Sequence, residues 1–228
     1  MGRTSFDKIA HGLVSATLAS LLGWAVSGCD AGGVDVAGMS LPPCDGETQA
    51  FALLENLSLP EAYDSLDFAV VFGNGEPPHI TASVGTRCET AKDLVACGTA
   101  LSDIFAPEDP TPVTGFQMGP CVDYCDLRIV VATRGEDVIL IQDADAMRAL
   151  LGPIDTPTEV VWAVSLAEYS LGCDEEKFGI REAEGGYEVA ATRPVSECET
   201  TQYLLAVGAD ASVSVLDEAV LASEDDCE

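Results

Sequence analysis

The chain has 228 residues, of which 47% are hydrophobic, and a mean hydropathy of +0.21. It therefore carries enough apolar material to bury a core, and it lies outside the low-hydropathy regime of disordered chains despite a formal net charge of −29. Its 39 acidic residues outnumber 10 basic ones along the whole length, so the molecule repels phosphate backbones and nucleic acid is excluded as a partner.

Residues 1–28 have the three-part build of a secretory signal: a basic start at Arg3 and Lys8, an apolar stretch over residues 13–26, and small residues at the end. The apolar stretch falls short of the roughly 20 residues that span a bilayer. It closes on Val26-Ser27-Gly28-Cys29, which resembles a bacterial lipobox: a branched apolar residue, two small ones, then a cysteine. The resemblance implies cleavage before Cys29 and a diacylglycerol thioether, with further acylation such as palmitate, on that residue. Several acyl chains hold a protein stably at a membrane, because each buried methylene contributes about 0.8 kcal/mol and one chain alone is marginal. Asp30 resembles an inner-membrane retention signal of enteric bacteria, a rule that does not extend to all bacteria, so inner and outer membrane both stay open.

Residues 29–48, rich in Gly, Asp, Ala and Pro, read as a flexible tether. A first α+β subdomain is expected over 49–105, with a helix at 49–57, strands at 68–72 and 79–84 joined by the turn Gly73-Asn74-Gly75-Glu76-Pro77-Pro78, and a helix at 94–104 capped by Asp93. Residues 106–120 open with a proline-rich run and read as a linker. A second subdomain is expected over 121–219. It begins with a hairpin at 127–133 and 137–141 around Arg134-Gly135-Glu136, followed by a helix over 143–151 stopped by Gly152-Pro153.

Thr156-Pro157-Thr158-Glu159 is a capping box, with Pro at the first helical position, and predicts a helix to about Tyr169 that buries Val160, Val161, Val164 and Ala167. Strands at 178–183, 187–192, 201–207 and 212–216 follow, turning at Gly185-Gly186 and at Gly208-Ala209-Asp210. Residues 220–228 read as an acidic tail. The order of elements predicts an α+β class, a mainly antiparallel sheet with two or more helices on one face and disulfides as staples.

Nine cysteines make an odd count for an exported protein, and lipidation of Cys29 leaves eight to pair. The pairs best supported by the predicted elements are Cys173 with Cys198 across a hairpin and Cys88 with Cys97 across a local loop. Cys121 with Cys125 and Cys44 with Cys227 then complete the set. A zinc site is disfavoured, because Cys121 and Cys125 lack a second matched pair and His79 is the sole histidine after the signal.

No nucleophile elbow, no phosphate-binding glycine loop and no Ser/His/Asp pattern occurs, and His79 follows two prolines at a strand start. Asp143 and Asp145 lack the remaining ligands of a calcium loop and read instead as acids at the positive end of a helix.

Val131-Ala132-Thr133-Arg134-Gly135, Gly152-Pro153-Ile154-Asp155-Thr156-Pro157 and Gly186-Tyr187-Glu188-Val189-Ala190-Ala191-Thr192-Arg193 resemble segments of disulfide-rich envelope lipoproteins of myxobacterial type. The resemblance implies an exported, anchored topology and carries over no catalytic residue. The expectation is a lipid-anchored cell-envelope protein, facing the periplasm or the cell surface. It would be a non-enzymatic structural or binding module whose partners are the membrane and an envelope protein or other extracytoplasmic ligand, with no cofactor and no metal. The alternatives are an exported hydrolase using a carboxylate pair and a calcium-stabilised domain.

Overall fold

The computed structural model describes residues 33–43, 57, 63–72, 76–106, 114–120, 127–196 and 199–223. The chain divides into two units, Met1–Asp30 and Ala31–Glu228, and every described residue belongs to the second. That unit is α+β, with both of its sheets antiparallel.

The first sheet contains β1 (Ser65–Val71), β2 (His79–Gly85), β3 (Phe116–Gln117), β4 (Leu127–Arg134) and β5 (Asp137–Ile141). Its order is β2-β1-β4-β3, with β5 pairing the later part of β4. β1 is buried along its whole length and β4 from Ile129 to Thr133, because both faces of this sheet are covered. Ala69, Val71, Ile129 and Val131 point to one face, where Leu101, Ile104 and Phe105 of α1 (Leu94–Phe105) pack on them. Leu66, Phe68, Val130 and Ala132 point to the other, into the main core. The alternation is therefore apolar on both phases, and a strand with two buried faces reads as a continuous hydrophobic run.

Two helices fill the main core, α2 (Ala144–Leu151) and α3 (Pro157–Leu166). The capping box at the start of α3 forms as its residues predict: Thr156 Oγ1 accepts from the Glu159 amide at 3.3 Å, and Glu159 Oε2 accepts from Thr156 N at 3.0 Å and Asp155 N at 2.9 Å. Val160, Val161, Trp162, Ala163, Val164 and Leu166 are all buried, so α3 has no solvent face. A helix apolar all round needs cover all round.

The first sheet supplies one side, through an edge-to-face contact of Phe68 with Trp162 at 5.2 Å and 83°. The second sheet contributes Ile180, Tyr187, Val189, Ala191, Leu205 and Val207 to the same core. Its strands β6 (Gly179–Ala183), β7 (Gly186–Ser196), β8 (Glu199–Gly208) and β9 (Val213–Ser223) run as a meander in that order. Gly186 is required at the β6–β7 turn, because a Cβ there would strike the Val207 carbonyl.

Four findings refine the sequence reading. β4 pairs with β1 over seven consecutive positions, Ser65↔Thr133 to Val71↔Leu127, so the expected division at 106–120 into two subdomains gives way to one body with a shared core. Residues 33–43, expected as tether, are docked. Ser40 exchanges two backbone hydrogen bonds with Ile180, at 2.9 and 2.8 Å, and Val34 N donates to Gln202 Oε1 at 2.9 Å. Helix α3 stops at Leu166 instead of Tyr169, because Glu168 takes a left-handed φ of 65° and Ser170 then bridges to Thr192. Finally, β9 continues to Ser223, into the residues expected as an acidic tail. Of the helix expected at 49–57 only Leu57 is described, buried in the main core, and most of the 106–115 run lies outside the described residues.

Trp162 is the centrepiece of this packing, with no exposed surface. Trp162→Ala is expected to cost about 3–5 kcal/mol, read from urea unfolding followed by far-UV circular dichroism. A loss under about 1 kcal/mol would show that the site collapses without strain and that the core does not depend on it.

Candidate functional site

Of the residues singled out for chemistry, Cys29 and Cys44, Cys121, Cys125, Cys198 and Cys227 lie outside the described residues. Cys88 and Cys97 are joined as expected, with a Cα–Cα separation of 6.1 Å. Cys173 is disulfide-bonded as well.

The Cys88–Cys97 bridge closes the loop that leads into α1, and a set of carboxylates pins that loop to the first sheet. Asp67, on the α1 face of β1, has no exposed side-chain surface. A buried carboxylate is tolerated only when its lone pairs are matched. Arg87 supplies a fork, Nε to Oδ2 and Nη2 to Oδ1, both at 2.8 Å, and Ser83 Oγ donates to Oδ1 at 2.5 Å. The same guanidinium stands over the Phe105 ring at 5.8 Å.

Asp64 accepts from Thr90 N, Thr90 Oγ1 and Gly135 N, and Glu136 accepts from Lys92 N and Asp93 N. Burial works to raise the Asp64 pKa, but the bonds from Thr90 and Gly135 outweigh it and hold the carboxyl below its ordinary value of 3.8. The Asp93 and Lys92 amides likewise lower Glu136 from 4.5. Asp93 then caps α1, accepting from Val95 N and Ala96 N at 3.0 Å. This constellation is a clamp on a loop. Its acids are all occupied by partners within the protein.

The remaining candidates are also placed in structural roles. His79 begins β2, is exposed, and pairs in register with Val70. Asp143 caps α2 at Ala146 N and Asp145 pairs with Arg148 at 2.7 Å, which is the helix-end role their positions suggest. The buried carboxylates among the described residues are Asp67 and Glu159. They belong to opposite faces of the first sheet, Asp67 beside α1 and Glu159 at the start of α3, so these two do not share one substrate.

A shallow cleft of about 340 Å³ lies between Gly38, Ser40 and Leu41 and the strand residues Arg181 and Tyr187. Glu182 also lines it and is exposed, while Tyr187 and Arg181 are engaged within the fold. Tyr187 donates its hydroxyl to Asp155 O at 2.8 Å, and burial, reinforced by Glu182, Asp155 and Glu159, raises its pKa above 10.0. Arg181 binds Glu188 and the Ala37 carbonyl. Among the described residues no group of three or more His, Cys, Asp or Glu side chains is placed to hold a metal ion.

What stands out instead is an edge. β9 is eleven residues long, is paired on one side by β8, and closes the second sheet. Val215, Leu216 and Val220 are 48%, 52% and 49% exposed, and between them Asp217 and Glu218 are exposed too. Long apolar edge strands are rare on proteins that keep to themselves, because open backbone groups and sticky side chains invite another strand. Sequence reasoning stopped β9 at Leu216. The signal that could have extended it is the apolar stretch Ala219-Val220-Leu221 beyond the two acids.

No family model matches the chain, and neither does any curated protein or solved structure.

Because the folded-state pKa values of Asp64 and Glu136 are depressed, the stability they contribute is complete above the ordinary carboxylate range and is lost as pH falls below about 4. Hydrogen exchange should show the Thr90, Lys92 and Asp93 amides losing protection in that window before the β1 and β4 amides do; simultaneous loss in all of them would contradict the clamp. Arg87→Ala, which strands Asp67 with one remaining donor, should destabilise by about 3 kcal/mol in urea unfolding, and a neutral result would rule out the pair as a brace.

Proposed function

We propose that this protein is a lipid-anchored component of a bacterial cell envelope, whose folded body is a structural or binding module and not an enzyme. The observation that carries the reading is the coincidence of a lipobox at Val26-Ser27-Gly28-Cys29 with an odd count of nine cysteines, one of which lipidation removes from the pairing. Support comes from the described cysteines, Cys88, Cys97 and Cys173, all of which are in disulfides, the state favoured outside the reducing cytoplasm. Among the described residues each buried acid serves the fold, Asp67 through Arg87 and Glu159 through the α3 cap, which favours a module over a carboxylate hydrolase.

The docking of residues 33–43 adds a consequence for the anchor. From Cys29 to Gly33 there are four chain steps, a reach of at most about 14 Å. Lipid on Cys29 would thus hold the second sheet close to the membrane surface, because Val34 is bonded to Gln202 on its outer face. The acidic surface keeps such a body soluble above the headgroups and selects against anionic partners.

The test is Cys29→Ser in the native host. Palmitate labelling should vanish and the protein should move from the membrane pellet to the soluble fraction. Continued sedimentation with membranes would overturn the anchor, and several free thiols in the denatured native protein would overturn the disulfide-bonded body.

A further inference from the structure

From the geometry of β9 we infer that its open edge is a docking strand for an extended basic segment of a partner protein, which adds to the second sheet as a further strand. The inference deepens the reading of the body as a binding module and rests on it. Strand addition draws affinity from main-chain hydrogen bonds and specificity from alternate side chains. β9 supplies both: an eleven-residue strand with no described strand on its outer side, and apolar side chains at Val215, Leu216 and Val220 about half exposed.

The charge on the edge selects the occupant. Asp217 and Glu218 are exposed near the middle of the strand, in a molecule of net charge −29. A second copy pairing antiparallel about the centre of β9 would set Glu218 against its own equivalent with Asp217 at the adjacent position on each strand, and like charges directly opposite are destabilising. A segment carrying Lys or Arg opposite Asp217 and Glu218, with β-branched residues opposite Val215 and Val220, meets the same edge with attraction throughout. Register shifts at Thr200/Thr201 and Leu204/Leu205 mark irregularities in the β8–β9 pairing. Such bulges turn an edge away from open-ended stacking and leave Asp217 to Val220 as the stretch in continuous register, on which an added segment would centre.

The experiment uses the oxidised Cys29→Ser protein and a fluorescein-labelled peptide containing Val-Thr-Lys-Lys-Thr-Val, which places lysines opposite Asp217 and Glu218 and valines opposite Val215 and Val220 in either strand direction, read by anisotropy at physiological salt. A control peptide of the same sequence is N-methylated on alternate backbone nitrogens, keeping its charge while blocking one hydrogen-bonding edge. The inference expects the unmodified peptide to bind at least about tenfold more tightly than the control. It also expects slowed hydrogen exchange in β9 upon binding, and a loss of about tenfold when Leu216 and Val220 are both replaced by Lys in a protein whose circular dichroism is unchanged.

Equal binding of the two peptides would reduce the effect to charge and overturn the inference, as would protection confined to other strands. A concentration-dependent dimer abolished by the same two substitutions would assign the edge to a second copy. Sedimentation with phosphatidylcholine vesicles, abolished likewise, would assign it to lipid. Either result overturns the basic-strand partner. Palmitate labelling of the unsubstituted protein reads the anchor separately, so a peptide that fails to bind an otherwise anchored protein sinks the docking edge alone.

Discussion

The fold depends on the burial of α3 on all sides. A ten-residue helix carrying Val160, Val161, Trp162, Ala163, Val164 and Leu166 is stable in water only if apolar surface meets it from more than one direction. One sheet covers one side of such a helix and leaves the other wet. The second sheet is the answer to that problem, and its inward residues Val189, Ala191, Leu205 and Val207 are there for it. The helix in turn ties the two sheets into one body, which is why no separation into subdomains survives at the proline-rich run. Glu159 is the charged exception within α3, and it is accommodated because the cap uses its carboxylate at once.

The opposite face of the first sheet obeys a different rule. There α1 contributes a modest apolar contact through Leu101, Ile104 and Phe105, and the Cys88–Cys97 bridge and the carboxylate clamp hold its leading loop. Closing a loop of nine residues' separation contributes about 2.5–3 kcal/mol through the entropy of the unfolded chain. Asp67 turns inward and has its charge matched by Arg87, while Asp64 and Glu136 stay near the surface and accept from amides and from Thr90.

The elements legible in the sequence were those with local chemistry. The capping box at Thr156, the Asp93 and Asp143 caps, the glycine turns at Gly135 and Gly185 and the Cys88–Cys97 loop all announce themselves within a few residues. What escaped was decided at long range. Residues 33–43 look like a tether because they lack periodicity, yet they dock through Gln202, a residue 168 positions away from Val34. The strand β9 looked finished at Leu216 because two acids follow, and an edge strand tolerates acids that a central strand would reject. The α+β class followed from the order of elements, whereas the placement of helices on both faces of the first sheet depends on which apolar phase of β1 each helix meets. The pairings Cys173–Cys198, Cys121–Cys125 and Cys44–Cys227 involve residues outside the described ones.

The central claim is that one core, organised on α3, unites both sheets. Native-state hydrogen exchange along a urea series tests it most directly, by comparing the slowest amides of β1 and β4 with those of β7 and β8. A single core predicts that both sets converge on one unfolding isotherm with the same free energy and the same dependence on urea. Two isotherms, with one sheet opening globally while the other stays protected, would contradict it.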